Sequence, residues 1–122
     1  MKLIIVGAGG HGRVCAEIAE EIGRYAEIGF SDPAYPVGSP IANWQVVCHD
    51  EELGEFCDAD HEIFVGIGQI GTGRSRRKLF ESIEKLGASI PVLISVSSVR
   101  SGSASLGAGT LVGRKAVVNT AA

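Results

Sequence analysis

The sequence predicts an α/β fold: a parallel sheet wound from βαβ units, followed by the start of a parallel β-helix. Three observations predict it. Short β-branched apolar segments alternate with amphipathic helical ones. The first of those segments ends in the glycine cluster GAGGHG at residues 7–12, where a strand would hand over to a helix. From Ser97 onward the apolar period changes to six residues.

Lys2 to Val6 reads as a buried strand, short, β-branched and stopped by Gly7. The helix after the loop places Val14, Cys15, Ile18 and Ile22 on one face and Arg13, Glu17, Glu20 and Glu21 on the other. Gly23 suits the left-handed residue that closes such a helix. Ala26 to Ser31 is a second strand, followed by the turn segment DPAYPVGSP. Gln45 to Cys48 is a weaker third strand, and Asp50 is placed to cap a short helix through Phe56, with Glu51 and Glu52 in its first turn. Glu62 to Ile67 is another strand ending in glycines. A helix follows over residues 73–86, with Leu79, Phe80, Ile83 and Leu86 as its buried face and Gly87 as its stop. Ser89 to Ile94 is expected as the last strand of the sheet. Such sheets have right-handed crossovers and bind ligands at the C-terminal ends of their strands. The segments GAGGHG, SDPA and GIGQIGTGR fall at those ends.

In the tail, Leu106, Val112 and Val118 recur every six residues, each followed by Gly107, Gly113 or Asn119. Ala104, Thr110, Ala116 and Ala122 repeat at the same period. Three registers repeating together argue against a disordered Gly/Ser-rich tail and for a hexapeptide-repeat β-helix, each hexad forming one side of a triangular coil. Gly or Asn would take the tight turns. Arg100 interrupts the pattern, so the repeat is expected to begin just after it. The division expected is therefore residues 1–95 and 96–122.

The chain has 122 residues, 45% hydrophobic and 20% charged, an ordinary composition for a globular domain with a core. A net charge of −3 gives no general attraction for nucleic acid. No apolar run is long enough to cross a membrane, and the start lacks a signal-peptide pattern. Cys15, Cys48 and Cys57 are odd in number and without CxxC spacing, which predicts reduced thiols in a cytoplasmic protein. His49 and His61 flank acidic surface segments, and no set of residues has metal-ligand spacing.

Gly7, Gly9 and Gly12 match GxGxxG at the strand-to-helix junction. Bare backbone there lets a diphosphate approach the helix N-terminus, where unpaired N–H groups and the helix dipole favour an anion. Asp32 lies where an acid at the end of the second strand would meet a ribose or base. His11 either points into the ligand crevice as a donor or faces solvent in the first helical turn. Arg74, Arg76, Arg77 and Lys78 crowd the start of the later helix, where cations oppose the dipole: they form either a solvated basic face or a site where an anion would offset the cost. Arg74, next to the glycine loop, is the expected ligand contact of the four.

IVGAGGHG, the GFSD and VGIG strand ends, the basic helix beginning RSRRKLF, and the hexapeptide tail occur in this order. That order resembles the bacterial nucleotide-sugar O-/N-acyltransferases typified by sialic acid O-acetyltransferase and the UDP-bacillosamine-type N-acetyltransferase. The resemblance covers essentially the whole chain. It implies a Rossmann-like domain holding a nucleotide-linked sugar, a UDP- or CMP-sugar, and a left-handed β-helix that forms homotrimers and binds acetyl-CoA between subunits, in a pathway of bacterial surface-glycan biosynthesis. It further implies that Gly9, Gly10, His11 and Gly12 line the diphosphate and sugar, that Ser31 and Asp32 face the base, and that Gly66, Ile67 and Gly68 wall the same crevice. The family's general base is a β-helix histidine, whose position is expected beyond Ala122, so no catalytic residue is expected in these residues and this stretch alone is expected to be inactive. The family often has two adjacent acids where this chain has Ser31-Asp32, and a His-Pro pair where it has Ser95-Val96. An NAD-binding oxidoreductase or sensor module fits the glycine fingerprint and Asp32 as well, and a non-catalytic sugar-nucleotide-binding module is the other alternative. The hexapeptide tail speaks against the first of these.

Overall fold

The computed structural model describes residues 1–68 and 74–122. The elements are β1 (Lys2–Val6), α1 (Gly10–Ile22), β2 (Glu27–Ser31), β3 (Pro40–Ile41), β4 (Trp44–Cys48), a 3₁₀ segment (Asp50–Phe56), β5 (His61–Val65) and α2 (Arg74–Lys85). Four two-residue strands follow: β6 (Leu93–Ile94), β7 (Val99–Arg100), β8 (Leu111–Val112) and β9 (Val117–Val118).

The main sheet has the order β3-β4-β2-β1-β5, parallel except for β3, which pairs antiparallel with β4. Strand alternation divides the core into two. Leu3, Ile5, Phe30, Val46 and Phe64 face one side and pack with Cys15, Ala16 and Ala19 of α1. Ile4, Val6, Ile63 and Val65 face the other, against Leu53 of the 3₁₀ segment and Ile83 of α2. Cover on both faces is why β1 reads as a continuous apolar run.

Several expectations change. The turn segment after β2 runs into the edge strand β3, and Pro40, its first residue, suits that position. Val14 is 43% exposed; the buried face of α1 is Cys15, Ala16, Ile18 and Ala19, a stripe that small residues help to form. Leu86 is 48% exposed because it lies past the last turn of α2. Asp50 does not cap a helix. His49 takes that position, its N–H donating to Glu52 Oε1 at 3.1 Å, and the segment is 3₁₀.

The largest difference is at Ser89–Ile94. Only Leu93–Ile94 is a strand, and it leaves the main sheet to pair in parallel with β8, Leu93 opposite Leu111. β7 pairs with β9 at the same separation, Arg100 opposite Val118. Turn hydrogen bonds recur every six residues: the N–H groups of Ser98, Ala104, Thr110, Ala116 and Ala122 donate to the carbonyls of Ser95, Ser101, Gly107, Gly113 and Asn119. The six-residue period therefore begins before Arg100, not after it, and Arg100 occupies a regular place in it. Gly107, Gly113 and Asn119 open turns but do not carry the left-handed backbone. That falls two residues later, at Gly109 (φ +79°), Lys115 (φ +58°) and Ala121 (φ +59°), the third-position sign of a type II turn.

Candidate functional site

β1 lies between β2 and β5, so the chain leaves β1 toward β2 and β4 and returns on its other side at β5. This is the switch in strand order at which such sheets open a crevice. A cavity of about 510 Å³ lies there, lined by Val6, Gly7, Gly9, Gly10 and His11, by Ser31, Asp32 and Pro33, by Asp50, and by Gly66, Ile67 and Gly68. Nine of the sequence-predicted residues thus meet in one place from three distant loops.

The glycine loop is held from outside. Gly7 has φ +104°, open to glycine without strain, and its N–H donates to the Ser31 carbonyl at 2.9 Å. The Ala8 N–H donates to Asp32 Oδ2 at 2.9 Å, and the Ala34 N–H donates to Asp32 Oδ1 at 2.8 Å. Asp32 lines the cavity, yet both its oxygens already accept backbone N–H groups and tie the β1 loop to the β2 end. Beyond them, α1 begins at Gly10, so its first N–H groups have no intrahelical partner. A Cβ on Gly9 or Gly10 would meet nothing within 4 Å, so the backbone there is open to a ligand.

Gly12 behaves differently. It is buried beneath the loop and does not line the cavity: a Cβ there would lie 1.8 Å from the Gly7 carbonyl oxygen. A Cβ on Gly66 would come within 3.0 Å of the Gly12 Cα. Gly12 lets α1 pack against the β1 and β5 ends, and its expected contact with diphosphate and sugar is corrected to that packing role.

His11 is half-buried on the cavity wall, the first of the two placements the sequence leaves open. Burial first, and the Arg76 charge second, lower its pKa from the ordinary value, which favours the neutral imidazole. A neutral ring offers one N–H donor and one acceptor to a ligand. Among the basic residues of α2, Arg77 pairs with Glu81 at 3.1 Å. Arg74 opens α2, but its side chain, like residues 69–73 of the glycine loop, lies outside the described residues.

Asp50 was missed as a site residue. It stands two positions after the end of β4, and the rule that ligands gather at C-terminal strand ends could have found it. Its Oδ1 accepts the Ser31 hydroxyl at 2.6 Å. Cys15 and Cys48 are buried, which pushes both thiols up to about 11 and leaves them un-ionised near neutral pH. A second cavity of about 550 Å³ lies among Lys2, Tyr25, Glu27, Trp44 and His61, and it holds none of the sequence-predicted site residues. Among the described residues no helix is long and apolar enough to cross a membrane.

Residues 2–83 match the family described as the PglD N-terminal domain. Among solved structures, the chain is similar to the acetyltransferase domain of PglB from Neisseria gonorrhoeae FA1090 in complex with acetyl coenzyme A. The two are 38% identical with a TM-score of 0.84, over 95% of this chain and 54% of that one. It is also similar to a histidine-to-asparagine mutant of perosamine N-acetyltransferase from Caulobacter crescentus in complex with CoA and GDP-perosamine, at 27% identity and a TM-score of 0.83, over 99% of this chain and 55% of that one. PerB from Caulobacter crescentus, in complex with the same two molecules, is 30% identical with a TM-score of 0.77 over the same shares. The chain thus spans about half the length of the solved structures it matches. Comparison with curated proteins finds no match.

Proposed function

The chain belongs to the PglD N-terminal domain family of nucleotide-sugar acetyltransferases, and from that premise we propose that it supplies the nucleotide-sugar-binding part of an acetyl-CoA-dependent sugar O- or N-acetyltransferase. The observation that carries the proposal is the cavity at the strand-order switch, where the β1, β2 and β5 loops converge on the open start of α1. In this reading the diphosphate lies on the bare backbone of Gly9 and Gly10, attracted by the first N–H groups and the dipole of α1. Neutral His11 donates to a phosphate or sugar oxygen, and Gly66, Ile67 and Gly68 form the opposite wall. Asp32 holds the loop in the shape that exposes those N–H groups. The PerB structures carry CoA and GDP-perosamine, which supports a sugar linked to a nucleoside diphosphate as substrate. Acetyl-CoA is the second substrate; its thioester supplies the acetyl group to the sugar's amine or hydroxyl.

Residues 1–95 form the binding unit and 96–122 the start of a left-handed β-helix in this proposal, with Leu93 serving both: it is buried in the α1 core and also begins the tail's pairing. The identical separation of the β6–β8 and β7–β9 pairs supports a coil of three hexads. A homotrimer and a cytoplasmic setting go with the same reading, the latter supported by three free cysteines.

A thermal-unfolding screen tests the binding reading. UDP-, CMP- or GDP-linked sugars are expected to stabilise the chain, by about 2.7 kcal/mol at about 100 times Kd, and NAD is not. Stabilisation by NAD alone would overturn it in favour of a dinucleotide-binding module.

A further inference from the structure

We propose that Asp50 reads the nucleotide base in this cavity and that the base it selects is guanine, an inference that rests on the cavity being the nucleotide-sugar site. Three observations carry it. First, Asp32, the acid expected to meet the nucleoside, has each carboxylate oxygen engaged by a backbone N–H, from Ala8 and from Ala34. Second, Asp50 lines the same cavity with a carboxylate that is fixed but incompletely used. Oδ1 accepts the hydroxyl of fully buried Ser31 at 2.6 Å, while Oδ2 has no hydrogen-bond partner among the described residues. No cation among the described residues forms a salt bridge with it. Third, the strand order sets its distance from the phosphate loop. Neighbouring strands lie about 4.8 Å apart, so the end of β4 is about 10 Å across the sheet from the end of β1. A nucleoside diphosphate anchored over β1 passes its ribose over β2 and delivers its base to β4.

A carboxylate is an acceptor only. Guanine presents two adjacent donors, N1–H and the exocyclic amine, matched to the two oxygens of a carboxylate. Cytosine presents one amine beside an acceptor nitrogen. Uracil presents a single N–H between two carbonyl oxygens, which a fixed carboxylate repels. The geometry therefore favours guanine over the pyrimidines expected from the sequence resemblance, with Ser31 as the positioning residue that holds Asp50 in place.

Isothermal titration calorimetry with GDP, UDP and CDP tests this on the 122-residue chain and on Asp50→Asn and Ser31→Ala, each first checked for folding by circular dichroism. GDP is expected to bind about tenfold or more tighter than UDP or CDP, and Asp50→Asn to weaken GDP roughly ten- to a hundredfold without weakening UDP, whose carbonyl oxygens the carboxylate no longer repels. Ser31→Ala is expected to narrow the GDP-to-UDP ratio by a smaller factor without loss of the fold. Equal binding of the three nucleotides, or equal weakening of all three by Asp50→Asn, would overturn the role of Asp50 and leave the nucleotide site standing. No binding of any of them would overturn the site and this inference together.

Discussion

Gly9 and Gly12 belong to one motif and should fail for opposite reasons when replaced. At Gly12 a methyl group meets the Gly7 carbonyl oxygen at 1.8 Å, and that oxygen belongs to backbone that cannot yield cheaply. Gly12→Ala is expected to destabilise the fold by about 2 kcal/mol or more in urea unfolding, and a loss below about 0.5 kcal/mol would show that α1 is free to move. At Gly9 the added side chain enters the open space of the cavity, and φ of −78° suits any residue. Gly9→Val is expected to keep the fold within about 1 kcal/mol and to weaken nucleotide-sugar binding more than tenfold by calorimetry. Parent-like binding would remove the diphosphate from this loop. The GxGxxG spacing marks both glycines in the sequence but does not tell them apart. The distinction comes from what lies above each one, and for Gly12 that is Gly7 and Gly66 brought together by β1 and β5. Asp50 shows the same limit: in the sequence it looks like a helix cap, and only the pairing of β2 with β4 brings it to Ser31.

At the scale of elements, the six-residue period of the tail is plain in the sequence because Leu106, Val112 and Val118 recur at that spacing. Its start is not plain, because Arg100 stands where an aliphatic residue is expected, and only the pairing with Val118 shows that the period runs through it. The tightest backbone also falls on residues other than the expected glycines and asparagine. Glycine and asparagine mark turns, but here they open them, and the left-handed position two residues on is filled once by Gly109 and then by Lys115 and Ala121. The Lys115 and Ala121 N–H groups donate to Ser97 Oγ and Ser103 Oγ at 3.0 and 2.9 Å, so serines 18 residues earlier hold these turns. A side chain with a Cβ is strained in this conformation by roughly 1–2 kcal/mol, part of which glycine recovers after its larger loss of chain entropy. Lys115→Gly is therefore expected to raise stability by about 0.5–1 kcal/mol and the β-branched Lys115→Val to lower it by about 1 kcal/mol, both measured by urea unfolding. A stability ranking with valine above glycine would mean that the backbone at residue 115 is not left-handed in solution.

At the scale of the whole molecule, the tail is tied to the sheet and α1 by a core and by charge. Leu93 is buried with α1 and Leu111 packs against the same cluster. On the surface Arg114 reaches back to α1, with Nη1 at 3.2 Å from Glu17 Oε2 and a two-point grip on Glu21. Exposed pairs of this kind contribute little to global stability, so the effect of removing this one should be local. Arg114→Ala is expected to leave the unfolding midpoint nearly unchanged and to speed amide hydrogen exchange in β8 and β9 but not in β1 or β2. Unchanged exchange in the tail would assign the whole attachment to the Leu93 and Leu111 contacts.

The sequence by itself determined the alternation of strands and helices, the glycine loop between β1 and α1 and the presence of a six-residue repeat. Each of these follows from local chemistry: where apolar side chains recur, where a Cβ is missing, and which residues start and stop a helix. Only the tertiary structure decided that Ser89–Ile94 leaves the sheet for the tail, that Asp32 supports the loop, and that Asp50 stands in the cavity. Those outcomes depend on which strands pair. A residue's neighbours across a parallel sheet are set by packing between segments tens of residues apart, and no spacing within the chain records that choice.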